Sequence, residues 1–260
     1  MPPLDDLQDS NSSIMPWYWV SEDVVANKLV KTDRRGNVLG EWKHKWLMGY
    51  RGIGRGVDVR TFTISFMPGN YGIGNSSTLV YSEIGLCKMC VFLAMACSLP
   101  FDFAVRQKVG GINLNTYLVK QFPVLTPEQI PSSLTMPIVI RVAKLCYFNH
   151  DLDGWAEELW DEMTTEQRKE IPELGCKECF IYDPDKRAVW QAELDAIFAH
   201  LYGLTTEELK YILDPEDVCG PGCINETFRV LKDNEIREFG EYRTKRLVME
   251  AWQRFGWEKS

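Results

Sequence analysis

The chain has 260 residues, of which 45% are hydrophobic and 25% charged, enough apolar side chains for one large core or two modest ones. Its longest apolar run, CVFLAMACSLPF, is too short to cross a bilayer, and the acidic N-terminus MPPLDDLQDSNSS is unlike a signal peptide, so we expect a cytoplasmic protein with no membrane partner. The net charge of -8 argues against a nucleic-acid partner unless the basic residues are concentrated in one part of the chain.

The first half of the chain predicts a mixed α/β unit. Residues 1–16 are polar and acidic and predict a disordered leader. The turn signal DRRGN at 33–37 is typical of a connection between two strands, VRTFTISFMPG at 59–69 predicts a strand, and STLVYS predicts a second short strand. Residues 84–106 predict one buried helix, because they are apolar nearly all round, and the three cysteines on it fit small core residues.

The second half predicts helices. Four prolines in PVLTPEQIPSSLTMP mark a boundary, and later segments such as KRAVWQAELDAIFAHLYG have helical spacing of apolar residues. Asp183 before Pro184 predicts one helix start, Thr205 with Glu208 predicts a capping box, and Gly240 predicts a helix break. The predicted class is α+β, with a mixed α/β domain at 17–125, a helical connector at 126–180 and an all-helical C-terminal domain at 181–260.

Positive charge is concentrated in one segment. Residues 28–120 carry thirteen Lys and Arg against five Asp and Glu, a local charge of +8, whereas residues 1–27 and 121–260 are both acidic. Because local charge sets the attraction to phosphate, this segment predicts a nucleic-acid contact. The alternative is a solvated basic face without a partner.

The stretch RQKVGGINLN concentrates side-chain donors in ten residues. Arg and Lys are the usual partners of guanine in the major groove, and Asn and Gln are the usual partners of adenine. The residues that supply this chemistry are Arg106, Gln107, Lys108, Asn113 and Asn115. The two glycines between them suit a hairpin tip that bends sharply. The alternative is a hairpin whose asparagines bond to its own backbone.

Two glycine clusters, YRGIGRGVD at 50–58 and GNYGIGNSS at 69–77, look like phosphate-cradling loops without matching the spacing of such a motif. They predict loops in which the backbone approaches another group closely, or simply tight turns. Arg51, Arg55 and Arg60 in and beside the first cluster have the planar guanidinium that suits both phosphates and base edges.

Four of the eight cysteines have the spacing of a zinc site. Cys176 and Cys179 form a C-x-x-C pair, and Cys219 and Cys223 enclose the turn CGPGC. Paired ligands two or three residues apart suit tetrahedral zinc, so a structural zinc is the predicted cofactor if the pairs converge. The alternative is unliganded thiols.

The sequence contains no recognisable catalytic constellation. Its three histidines stand in unrelated contexts, and no G-x-S-x-G, H-E-x-x-H, Walker or Asn/Asp-Pro-Pro-Tyr/Phe sequence occurs. We therefore predict no catalytic residues and disfavour a stand-alone enzyme.

The blocks YRGI, RTFTISFMP, GIGNS and FDFAVRQKVGGINLNTYLVKQFPVL precede AELDAIFAHLYGLTTEELKYILDPEDV and ETFRVLKDNEIREFGEYRTKRLVMEAW. In this order they resemble the C-terminal portion of bacterial type IIG and type ISP restriction-modification adenine methyltransferases. The resemblance runs from about Trp42 to Trp252. In that family the matching portion is a TaqI-like target-recognition region with a helical tail.

The resemblance implies that the chain reads double-stranded DNA for a bacterial defence system. It also implies a partner, a methyltransferase domain or subunit that binds S-adenosylmethionine, of which this chain is a fragment or a separate subunit. The paired Cys219 and Cys223 depart from the family. The competing hypothesis is a protein-interaction module with a four-cysteine zinc site and no DNA binding. The predicted DNA-binding residues are Arg51, Arg55, Arg60, Asn75, Arg106, Gln107, Lys108, Asn113, Asn115 and Lys120.

Overall fold

The computed structural model describes residues 2–13, 19–33, 35–223 and 227–257. It is of the α+β class, as the sequence predicts. The strands in the described ranges are β1 (Val30–Thr32), β2 (Val38–Glu41), β3 (Trp46–Arg51), β4 (Ile64–Pro68) and β5 (Ser77–Leu79). The helices are α1 (Leu4–Gln8), α2 (Glu22–Lys28), α3 (Leu86–Ala96), α4 (Leu99–Arg106), α5 (Thr116–Val119), α6 (Ser132–Cys146), α7 (Asp153–Glu162), α8 (Thr165–Lys169), α9 (Glu173–Cys176), α10 (Pro184–Leu201), α11 (Thr206–Leu213), α12 (Glu216–Cys219), α13 (Arg229–Phe239) and α14 (Arg243–Arg254). Short 3₁₀ turns occupy Pro127–Gln129 and His150–Leu152.

The strands form two small antiparallel sheets. β1 pairs with β2 across the predicted turn, where the carboxylate of Asp33 accepts hydrogen bonds from the backbone N–H groups of Arg35 and Asn37. In the second sheet β3 is central, with β4 on one side and β5 on the other. The predicted turn and the short strand within STLVYS are thereby confirmed.

The predicted strand at 59–69 is shorter in the structure, where β4 begins at Ile64. The reason lies just before it. The backbone N–H groups of Thr61 and Phe62 donate to the buried carboxylate of Asp102, at 3.1 and 2.9 Å, and so leave the strand ladder. A side chain from α4 has replaced a neighbouring strand as the hydrogen-bond partner.

The single helix predicted at 84–106 is two helices, α3 and α4, bent by 59°. The hydroxyl of Ser98 accepts a hydrogen bond from the N–H of Phe101 and so caps α4. Pro100 follows at the start of α4, where its missing N–H is tolerated, although it would disrupt a continuous helix. No single helix in the described ranges is long and apolar enough to span a membrane, and this bent pair passes that test only when taken together.

Two apolar clusters form the core, and their limits differ from the predicted domains. The larger packs one face of the β3 sheet against α3, α6 and α7, so it crosses the boundary expected near residue 126. The smaller lies among α4, α10, α11 and α14, around the buried Trp252. α10 supplies Phe198 to the larger cluster and Ala196 to the smaller one, so the helical segments share their core with the sheet.

The predicted helix signals in the second half are confirmed. Asp183 caps α10, whose first residue is Pro184. Thr205 and Glu208 form the capping box of α11, and Gly240, with a φ of 76°, ends α13.

The expected leader has a structure over residues 2–13, which include α1. The backbone N–H of His150 donates to the carbonyl oxygen of Ser10 at 2.9 Å. The side-chain amide of Asn149 donates to the carbonyl oxygen of Ser12 at 3.3 Å. Carbonyl groups of this polar segment, together with the side chains of Gln8 and Ser13, thus attach it to the rest of the structure. Residues 1 and 14–16 of the expected leader lie outside the described residues.

Candidate nucleic-acid interface

Three loops meet beyond the C-terminal end of β3. The backbone N–H of Gly52 donates to the carbonyl of Ser76 at 2.7 Å, which joins β3 to the loop before β5. The N–H of Gly54 donates to the carbonyl of Ile112, and the N–H of Leu114 donates to that of Gly52, both at 2.9 Å. Residues 51–58, 74–76 and 107–120 are called the three-loop surface below.

Within the first glycine cluster, position 54 requires a glycine. A Cβ atom at this position would lie 2.0 Å from the carbonyl oxygen of Thr61, far inside van der Waals contact. At Gly56, two residues later, nothing lies within 4 Å of the corresponding position. The close backbone approach predicted for this cluster is therefore made to the protein's own chain.

Arg106, which the sequence predicts as a base-reading residue, is buried and fully bonded. Its side chain is 5% exposed and its Nε donates to Asp102 at 2.9 Å. Its guanidinium also lies over the ring of Phe228. A guanidinium has five N–H donors, and all five are used here, so Arg106 is a structural residue. The two terminal nitrogens donate to the carbonyl oxygens of Gly56, Asp58, Val59 and Thr227.

The hairpin predicted at 106–115 is a different structure. α4 ends at Arg106, and Asn113 pairs with Ile53 in an isolated antiparallel bridge. Leu114 is 2% exposed and anchors the loop, whereas Asn113 and Asn115 on either side of it are exposed. The bridge to the first glycine cluster replaces the pairing of the segment with itself.

Several predicted DNA-binding side chains on this surface have unused polar groups. Gln107 is exposed as well, and its amide reaches only the carbonyl of Phe103, at 3.5 Å. The alternative in which the asparagines bond their own backbone is not observed in the described part of the chain. Of the ten predicted DNA-binding residues, those with exposed side chains that make no hydrogen bond or ion pair to any described residue are Asn75, Lys108, Asn113, Asn115 and Lys120.

Arg51 and Arg55 share one acid, Asp58. The Nε of Arg55 lies 3.0 Å from Asp58 Oδ1, and Arg51 Nη2 lies 3.5 Å from Oδ2. Partial burial raises the pKa of Asp58, but the hydrogen bonds from Arg55 and the two positive charges outweigh it and lower the pKa overall. Because the arginines are 50% and 60% exposed, such pairs are worth about 1 kcal/mol or less.

Arg60 faces the protein interior instead. Its Nη2 lies 3.8 Å from the buried carboxylate of Asp195 on α10, and its side chain is 30% exposed. The Nη1 atom is buried without a hydrogen-bond partner in the described residues. The structure thus separates Arg60, like Arg106, from the surface to which the sequence assigned it.

Apolar side chains on the three-loop surface were not predicted from the sequence. Ile53, Val57, Ile112 and Tyr117 are 47%, 68%, 55% and 69% exposed. Both Ile53, which pairs with Asn113, and Ile112, whose carbonyl accepts a hydrogen bond from Gly54, take part in the backbone pairing between the loops. In the sequence, they look like ordinary core residues, and only the pairing shows that they face outward.

Two surface grooves are lined mainly by residues outside the three-loop surface. One, of about 580 Å³, is lined by residues that include Val25, Trp42 and Lys45; the other, of about 550 Å³, includes Trp19 and Leu79. None of the ten predicted DNA-binding residues lines either groove. The predicted residues that remain exposed therefore lie outside these two grooves.

The four-cysteine zinc site is not assembled in this structure. No three of the sulfur atoms of Cys176, Cys179, Cys219 and Cys223 lie within 4.8 Å of one another, although all four residues are described. Cys219 and Cys223 do interact: desolvation and the Cys223 thiol both raise the pKa of Cys219. Cys176 is exposed at the end of α9. Spacing places each pair on a turn but does not bring the turns together.

The three-loop surface combines cationic, amide and apolar side chains, the types that can contact phosphates, base edges, and methyl and sugar groups. It contains no histidine or cysteine, and its one acid, Asp58, is paired with the two arginines. This donor-rich composition suits binding rather than acid–base catalysis. Comparison of the chain with protein-family models, curated proteins and solved structures finds no match.

Proposed function

We propose that the chain recognises double-stranded DNA through the three-loop surface, as the target-recognition part of a restriction-modification adenine methyltransferase. The observation that carries the proposal is the placement of Lys108, Asn113 and Asn115. Their side chains are exposed and make no hydrogen bond or ion pair with a described residue, and they stand on a loop that two backbone hydrogen bonds attach to the segment just after β3. A rigid loop loses little entropy when it binds.

The charge distribution supports phosphate binding at this surface. Residues 103–127 include three Lys and Arg and no acid. Asp58, the one acid of the three-loop surface, and Asp102, which directly precedes this segment, are both bonded to arginines. Neutralising phosphates releases counterions, so the affinity falls steeply with salt.

The amides support base recognition. An Asn side chain that bonds N6 and N7 of adenine discriminates against other bases by about 1–3 kcal/mol. Asn113 and Asn115 have free amides, and Arg51 and Arg55 supply guanidinium groups that suit guanine or phosphate. Arg106 has a different role in this proposal: it holds the loops in position.

The methyl transfer itself belongs to a separate part in this proposal. S-adenosylmethionine would be bound by a methyltransferase domain or subunit, and the present chain would select the DNA sequence. We therefore expect no transfer of labelled methyl groups by the purified chain alone.

A second candidate is a protein-interaction module. The exposed Ile53, Val57, Ile112 and Tyr117 on the same surface favour it, because clustered apolar side chains often mark a protein interface. The two candidates differ in how binding affinity depends on salt. Salt screens the attraction between cations and phosphates, but it does not weaken binding through buried apolar surface.

The test is a fluorescence-anisotropy titration of the purified chain with a pool of short random duplexes at two salt concentrations. With two to four phosphate contacts, log K should fall against log salt with a slope of about −2 to −4. An absence of salt-sensitive binding at low ionic strength contradicts the proposal and favours the protein-interaction module.

A further inference from the structure

Three potential metal ligands of different chemistry meet beside the start of α7. Nδ1 of His150 lies 3.0 Å from Asp153 Oδ1 and 3.7 Å from the sulfur of Cys179. All three ligand atoms lie within 4.8 Å of one another, and this is the one such group of three or more in the described ranges. The site is distinct from the three-loop surface. It shares Cys179 with the four-cysteine site that the sequence predicts, but its other two ligands, His150 and Asp153, are not part of that prediction.

The separations match those of a zinc site. With Zn–S of about 2.3 Å, Zn–N of about 2.05 Å and Zn–O of about 2.0 Å, tetrahedral angles place S and N about 3.6 Å apart and N and O about 3.3 Å apart. The observed S–N distance of 3.7 Å and N–O distance of 3.0 Å are each close to the corresponding value. An N, O and S donor set suits zinc and related transition ions, whereas calcium and magnesium prefer oxygen alone.

The same geometry argues against a catalytic Cys-His-Asp arrangement. Such a triad uses opposite nitrogens of the imidazole, one for the nucleophile and one for the carboxylate. Here Nδ1 of His150 faces both Cys179 and Asp153. Three donors that converge on one point are the arrangement of a cation site.

The ligands are held by bonds outside the site. The hydroxyl of the buried Tyr147 donates to Asp153 Oδ1 at 2.7 Å, as outer partners of metal ligands commonly do. The backbone N–H of Phe180 donates to the carbonyl of Tyr147 at 2.8 Å, which fixes the residue next to Cys179. The bond from the N–H of His150 to Ser10 fixes the remaining ligand.

We propose that His150, Asp153 and Cys179 bind one zinc-class divalent cation. Three protein ligands leave a fourth position for water or for a ligand from a partner. His150 and Asp153 are 42% and 38% exposed, so that position is open to solvent. The ion would join the loop before α10 to the start of α7.

The test is a titration of the purified full chain with cobalt(II), followed by absorption spectroscopy and by competition with zinc. We expect about one equivalent of bound cobalt and a charge-transfer band with the intensity of a single thiolate ligand. Cys179→Ser and His150→Gln should each weaken binding by tenfold or more. Cys219→Ser and Cys223→Ser are the matched controls and should leave it unchanged.

Circular dichroism of each variant shows whether it is folded. Tyr147→Phe removes the hydrogen bond to Asp153 but no proposed ligand, so it should weaken cobalt binding less than Cys179→Ser does. Binding that depends on both His150 and Cys179 supports the proposal. An absence of cobalt binding, binding that survives the loss of either residue, or binding that requires Cys219 overturns it.

Discussion

The carboxylate of Asp102 and the guanidinium of Arg106, one turn apart on α4, form a buried ion pair with an Nε–Oδ2 distance of 2.9 Å. The same carboxylate accepts the backbone N–H groups of Thr61 and Phe62, and the same guanidinium donates to carbonyl groups of the first glycine cluster. This pair therefore attaches the loop between β3 and β4 to α4. It is the structural support of the three-loop surface.

Arg106→Ala should lower the free energy of unfolding by about 3–5 kcal/mol, because it leaves the buried carboxylate of Asp102 without its charge partner. Urea denaturation measures the change. Arg237→Ala, at an exposed arginine on α13, is the control and should change stability by less than about 0.5 kcal/mol. A stable Arg106→Ala variant that loses only DNA binding would show that Arg106 contacts DNA after all.

Gly54→Ala should destabilise the chain by about 1–3 kcal/mol, because the new methyl group would collide with the carbonyl of Thr61. Gly56→Ala is matched in sequence and chemistry, but has open space around it and should be close to neutral. Thermal denaturation of the two variants gives the comparison. Equal effects of the two substitutions would contradict the packing at Gly54.

The buried Asp195 should make stability depend on pH. Burial raises the pKa of Asp195 from 3.8 to about 6, although Arg60 and the N–H of Leu99 oppose this shift. Between those two values the folded chain holds a proton that the unfolded chain has released, so a rise in pH favours unfolding. The contribution of this group should fall by on the order of 3 kcal/mol from about pH 4 to about pH 6.

Urea denaturation at several pH values, with Asp195→Asn beside the unchanged chain, tests this expectation. The variant should become more stable relative to the unchanged chain as pH rises through this window. Glu207→Gln, at an exposed carboxylate that makes no ion pair with a described residue, is the control and should follow the unchanged chain. Parallel pH profiles of Asp195→Asn and the unchanged chain would contradict the raised pKa.

The double variant Asn113→Ala/Asn115→Ala should lose sequence preference rather than general affinity. We expect a cost of about 1–3 kcal/mol on the duplex selected from a random pool and a much smaller cost on unrelated duplexes. Asn70→Ala, at an exposed asparagine beyond the other end of β3, is the control. Equal losses on all duplexes would show that the two amides contact only the backbone of the DNA.

The sequence predicted those elements that local signals determine. Proline at the start of α10, the capping box of α11 and the turn between β1 and β2 each act over a few residues, and the structure confirms them. The sequence does not predict the bend between α3 and α4, because the residues on both sides of Ser98 and Pro100 are apolar nearly all round.

The candidate site was only partly predictable, because composition does not reveal which arginine is buried. Arg106 has the same chemistry as the exposed Arg51 and Arg55, and it differs in having Asp102 four residues earlier on the same helix face. The four-residue spacing of Asp102 and Arg106 was therefore the signal in the sequence that Arg106 is paired. The convergence of His150, Asp153 and Cys179 depends on the packing of two distant segments, which spacing alone does not determine.

The most direct test of DNA recognition compares two double variants with the same change in charge. Lys108→Ala/Lys120→Ala removes two exposed lysines from the three-loop surface, and Lys28→Ala/Lys43→Ala removes two exposed lysines near the β1–β2 sheet. Anisotropy titrations with duplex DNA should show weaker binding and a salt slope smaller by about 2 for the first pair only. Equal losses in both pairs, or no loss in the first, would contradict DNA recognition through the three-loop surface.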